Sequence, residues 1–104
     1  MGKYVFAYKG GGGMAPTEEE QQQVMAAWGA WLGGLGDAVV EIGNPFAASK
    51  SVAADGSVTD GAAGGLTGFS VISAGSLDAA AGFANGCPIF AAGGAVEVYE
   101  AVEM

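Results

Sequence analysis

The sequence predicts an α+β domain in which two helices connect strands of a single sheet. Three observations predict it. Stretches of period-two alternation begin at residues 3–9 and end at 95–102. Between them lie two segments whose apolar residues recur at helical spacing, about 17–35 and 76–85. The joins carry turn chemistry: Gly36-Asp37, Asn44-Pro45, Asp55-Gly56 and Gly86. Alternation puts successive side chains on opposite faces of a strand, and the 3.6-residue period gathers them on one side of a helix.

At residues 3–9, Tyr4, Phe6 and Tyr8 alternate with Val5, Ala7 and Lys9. Both sets are largely apolar, so both faces are expected to be covered. Gly10 to Gly13 ends this strand and resembles an anion-binding loop, but no Gly-Lys-Ser/Thr follows and no dinucleotide spacing is present. Glu18, Glu19 and Glu20 would repel an anion there. The loop reads as flexible and able to gate a pocket.

Pro16-Thr17-Glu18-Glu19-Glu20 is a helix start: Thr17 caps, Glu20 completes the capping box, and acidic residues suit the dipole. Val24, Met25, Trp28, Trp31, Leu32 and Leu35 fall on one stripe, which is expected to face the core. The opposite side holds Ala26, Gly29, Ala30 and Gly33, either a bare solvent face or a place where another chain approaches closely.

The second strand is expected at residues 38–43, broken by Asn44-Pro45-Phe46 because proline cannot donate to a ladder. Residues 49–53 and 57–59 form a hairpin around Asp55-Gly56. The turn Val58-Thr59-Asp60-Gly61 then feeds a central strand at 68–73, with Asp60 in a loop beside it. Ser76 caps the second helix, Asp78 lies in its first turn, and Leu77, Ala80, Ala81 and Ala84 line one face. Gly86 suits the position past its end, and Pro88 prevents continuation. Val96 and Val98 alternate with Glu97 and Tyr99 in the last strand.

The order is therefore β-α-β, a hairpin extension, then β-α-β: the ferredoxin-like split arrangement in one domain, residues 1–104. A chain of this length buries roughly 65% of its unfolded surface, enough for a core. Helices on one face leave the other bare, with large apolar residues drawn from Phe6, Tyr8, Phe69, Val71 and Tyr99. A homodimer would cover such a patch.

Composition narrows the function. Three Lys/Arg against eleven Asp/Glu give a net charge of −8, which argues against nucleic acid and anionic membrane surfaces. The absence of histidine and the single Cys87 remove the usual zinc, copper and haem ligands, so no metal and no cofactor is expected. Cys87 reads as a buried small residue, with no basic neighbour in sequence to activate it. No signal-peptide pattern and no run of apolar residues long enough to span a membrane is present, which points to a reducing cytoplasm. Neither Ser-His-Asp nor Cys-His chemistry is available.

Lys3-Tyr4, Val58-Thr59-Asp60-Gly61, Gly68-Phe69, Ser76-Leu77-Asp78-x-Ala80, Gly86-Cys87-Pro88 and Val96-Glu97-Val98, in this order across nearly the whole chain, resemble the YCII-related proteins of the DGPF type. The resemblance implies a dimeric α+β barrel, two ferredoxin-like units with sheets packed face to face. It also implies a fold shared with muconolactone isomerases and small monooxygenases. Some members are linked to extracytoplasmic-function sigma factors. Two departures matter. The family's Asp-Gly-Pro-Phe is Asp60-Gly61-Ala62-Ala63 here, and the His-Asp pair of another branch has no histidine to supply it.

These readings give a short set of candidates. Asp60 is either a general base or a turn cap. Glu97 and Tyr99 share a strand face and form a carboxylate–phenol pair if that face lines a cleft; otherwise they are solvated or core. Tyr8 is a further ligand-binding candidate, or a core or interface residue. The expected function is binding or conversion of a small apolar or aromatic metabolite between two sheets. The alternative is a non-catalytic regulatory or interaction module.

Overall fold

The computed structural model describes residues 2–10, 17–62 and 64–102. Residues 11–13 of the glycine loop, Pro16 and Ala63 lie outside the described residues. Among the described residues, six strands and two α-helices follow in chain order: β1 (Gly2–Lys9), α1 (Glu18–Leu35), β2 (Val39–Glu41), β3 (Lys50–Val52), β4 (Val58–Asp60), β5 (Leu66–Ala74), α2 (Leu77–Phe83) and β6 (Ala95–Ala101). The main sheet has the order β2-β5-β1-β6, every neighbour antiparallel. This is the ferredoxin-like arrangement the element order predicts. β3 and β4 form a separate two-stranded hairpin, also as expected.

Alternation along β1 decides the core. Tyr4, Phe6 and Tyr8 point to the side covered by both helices and are buried there with Ile72 and Ala74 of β5 and Ala80 and Ala84. This corrects the expectation that Phe6 and Tyr8 belong to the uncovered face. Their registers with Ile72, Ser70 and Gly68 put them among the inward positions of β5. The uncovered face instead carries Val5, Ala7, Phe69, Val71 and Tyr99, and Phe46 stacks on Phe69 at 5.7 Å between ring centroids.

Thr17 caps α1 by accepting a hydrogen bond from the Glu20 N–H at 3.1 Å. The helix then splits along its length. Trp28, Trp31 and Leu35 pack against the core, with Trp31 stacked on Phe6 at 6.1 Å and its indole N–H donated to the Phe83 carbonyl at 3.2 Å. Val24 and Met25, expected on the same core stripe, are 49% and 74% exposed. The stripe continues along the helix, but no sheet lies close enough to bury its first half. The small residues on the other side are exposed too, with open space around Gly29 and Gly33.

Ser76 caps α2 through the Ala79 N–H at 3.1 Å. Ala80 and Ala84 face the core, whereas Leu77 and Ala81 are exposed, a correction to the expected apolar face. Ala79 and Phe83 are half-buried against the same core, so the inward side of α2 runs along the 79/83 and 80/84 positions. The following 3-10 turn, Pro88–Ala92, buries Ile89, and Cys87 is buried beside it.

β2 is shorter than predicted because its pairing with β5 is irregular after Val39. The chain then presses on β5 at Gly43, where φ is +81° and a Cβ would stand 1.8 Å from the Phe69 carbonyl oxygen. Only glycine fits both the conformation and the contact. Gly68 receives the next residues, since a Cβ there would lie 3.1 Å from the Asn44 oxygen. This seam forms one wall of the cleft described next.

Candidate functional site

A cleft of about 970 Å³ opens between α1, from Glu20 to Leu32, and the sheet. Val24, Met25 and Trp28 of α1 form its roof, and Pro88 and Ile89 one side. The Gly43–Pro45 seam forms the opposite wall, and Tyr8 and Ser70 supply buried hydroxyls to a largely apolar lining. The same lift of the helix that exposes Val24 and Met25 creates this space. Such a concave apolar site with a few polar groups is the usual form of a small-molecule pocket.

Tyr8 and Ser70 are 6% and 1% exposed. The Tyr8 hydroxyl donates to Ser70 Oγ at 2.8 Å, and Ser70 in turn donates to the Ile42 carbonyl at 2.6 Å. Burial pushes the Tyr8 phenol up to about 12, the Ser70 hydrogen bond opposing only in part. Tyr8 is therefore a neutral hydrogen-bonding group at physiological pH and a weak proton donor. Its ring meets Trp28 edge-on at 5.0 Å, so the cleft has an aromatic lining. Burial also pushes the Cys87 thiol up, which keeps it protonated and unreactive.

The four residues singled out from the sequence do not converge. Tyr8 alone lines the cleft. Glu97 and Tyr99 lie on the uncovered face of β6, opposite Ala7 and Val5 of β1. There the Tyr99 hydroxyl donates to Glu97 Oε1 at 3.1 Å, and Lys9 Nζ stands 3.8 Å from the same oxygen. The hydrogen bond to Glu97, followed by that carboxylate's charge, raises the Tyr99 phenol.

Asp60 is farther from any enclosure. It ends β4 instead of sitting in a loop, its side chain is 92% exposed, and it pairs with Lys50 Nζ at 2.6 Å. It lines neither the large cleft nor the smaller hollow of about 540 Å³ lined by Pro45 to Lys50, Ala62, Gly64 and Leu66. The side chain that caps a turn is Asp55, which accepts the Ser57 N–H at 2.9 Å. That bond to the backbone holds the Asp55 carboxyl below its usual range.

Ser70 and Ile89 are among the cleft residues that sequence reasoning missed. A signal for Ser70 existed: it shares the inward alternation of β5 with Gly68, Ile72 and Ala74, and a hydroxyl at such a position needs a partner. Ile89 carried no comparable signal, because a 3-10 turn after Pro88 has no periodicity to read. Among the described residues no group of three His, Cys, Asp or Glu side chains could hold a metal ion.

Fold and cleft together define a small ferredoxin-like α+β protein with a one-sided helical layer. The chain belongs to the YCII-related domain family, which matches residues 3–104. No curated protein matches it. Among the described residues no helix is long and apolar enough to cross a membrane.

Proposed function

We propose that this YCII-related protein binds a small apolar or aromatic metabolite in the cleft beneath α1, and that it does so as a homodimer. The observation that carries the binding reading is the apolar cleft with the buried Tyr8–Ser70 hydroxyl pair. A cleft filled by its own side chains would have favoured the non-catalytic regulatory or interaction module. Binding fits better than acid–base conversion, because a phenol held near 12 exchanges protons poorly at neutral pH. The ligand would be held without metal or histidine.

The dimer reading rests on the uncovered sheet face, where Val5, Val71 and Phe69 are only half-buried and Tyr99 is 54% exposed. Face-to-face pairing of two such sheets would bury them and enclose Glu97 and Tyr99 between the subunits. The Val58-Thr59-Asp60-Gly61 motif supports the DGPF branch of the family, and the free, buried Cys87 suits the cytoplasm. The same sheet face is what a regulatory interaction module would use, so one measurement separates the two readings.

Native mass spectrometry of the purified protein is expected to give twice the chain mass; a monomer would overturn the dimer. Titration with p-cresol, followed by the indole N–H resonance of Trp28, is expected to shift that resonance saturably. No shift of Trp28 at millimolar p-cresol would overturn the cleft reading.

A further inference from the structure

The hydrogens of the cleft's two buried hydroxyls are already assigned by their partners. The Ile42 carbonyl is only an acceptor, so the 2.6 Å contact uses the Ser70 hydrogen. Ser70 Oγ can then only accept from Tyr8 across 2.8 Å, which uses the tyrosine's single hydrogen. Neither hydroxyl has a hydrogen left, and both keep an unused lone pair. The chain of bonds runs one way, toward the Ile42 carbonyl, and cannot be reversed while that carbonyl remains its end.

From this direction we propose that the cleft selects ligands whose polar head donates a hydrogen bond: a phenol or alcohol on an apolar body. Ethers, ketones and carboxylates are disfavoured. Their oxygens would face lone pairs with no hydrogen between them, and burying an unpaired acceptor is unfavourable. Carboxylates meet a second barrier in the Glu20 side chain at the rim and the net charge of −8. The remaining polar side chains of the lining, Gln23, Asn44 and Thr67, are less buried than the hydroxyl pair. The Thr67 hydroxyl is already directed at the Tyr8 and Gly10 carbonyls, 3.2 Å from each. This selectivity rests on the proposal that the cleft binds a small molecule.

The test compares p-cresol, 4-methylanisole and p-toluate, which share a ring and a methyl group and differ in their polar head. Wild-type protein is expected to bind p-cresol about tenfold tighter than 4-methylanisole, and p-toluate more weakly still. In Tyr8→Phe the preference for p-cresol is expected to fall severalfold with 4-methylanisole binding retained. Ser70→Ala releases the Tyr8 hydrogen, so 4-methylacetophenone, an acceptor, is expected to gain affinity over wild type. Equal wild-type affinities for p-cresol and 4-methylanisole would overturn the selectivity and leave the cleft reading standing. Failure of all the probes to bind would overturn both. The wild-type comparison needs no variant to fold.

Discussion

The two halves of α1 carry the same apolar stripe and meet different fates. Toward the C-terminus, Trp31 and Leu35 pack onto Phe6 and its neighbours, and the stripe works as core. Toward the N-terminus, Val24 and Met25 face the cleft and stay exposed. One helix is thus both a structural element and the roof of a cavity. The difference teaches that an apolar face records a preference for a non-aqueous neighbour, not which neighbour will meet it.

Substitutions along the helix should separate the halves. Trp31→Ala removes the stack on Phe6 and the bond to Phe83, and is expected to cost about 3 kcal/mol in chemical denaturation. Met25→Ala, 74% exposed in the wild type, is expected to change stability by less than about 0.5 kcal/mol and to weaken p-cresol binding. Equal destabilisation by the two would break the comparison, because both halves would then be core.

Tyr8 stands at the boundary between the halves, and its effect should be intermediate. Tyr8→Phe removes one buried hydrogen bond while Ser70 keeps its bond to Ile42, a loss of about 1 kcal/mol at neutral pH. Its pH dependence is more telling. The fold favours the neutral phenol, so on unfolding between the ordinary value of 10.0 and about 12 a proton is released. Stability from this group is intact below pH 10 and is lost as the pH rises through about 12. Tyr8→Phe is expected to lack that alkaline loss, so its deficit against wild type should shrink as the pH is raised in denaturation curves. An unchanged alkaline slope would show that Tyr8 is not buried as a neutral donor.

The smallest effect is expected at the hairpin. Asp60→Asn breaks an exposed ion pair with Lys50, a kind of contact that contributes little to stability. The thermal midpoint and p-cresol affinity should both stay within error of wild type. A loss of affinity on this substitution would connect the hairpin to the cleft and make Asp60 part of the site.

Much of this was legible in the chain, for local reasons. The caps at Thr17 and Ser76, the alternation of β1 and the Asp55-Gly56 hairpin all express short-range chemistry. Through the order of elements they also specify the ferredoxin-like topology. The resemblance to the YCII-related family was readable from motifs spread along the chain and is matched over residues 3–104.

Tertiary structure decided the rest. Period two separates Tyr8 from Val5 but cannot say which face the helices cover; the packing of Trp31 on Phe6 decides that, and with it the separation of Tyr8 from Tyr99. Ser70 became a site residue only when antiparallel pairing brought it within 2.8 Å of a hydroxyl 62 positions away in sequence. The Ile42 carbonyl that fixes the direction of that bond belongs to the backbone, which side-chain patterns do not report. Local propensity determines which elements form and in what order. The cleft is a gap between elements, and its shape depends on how far a helix stands from a sheet.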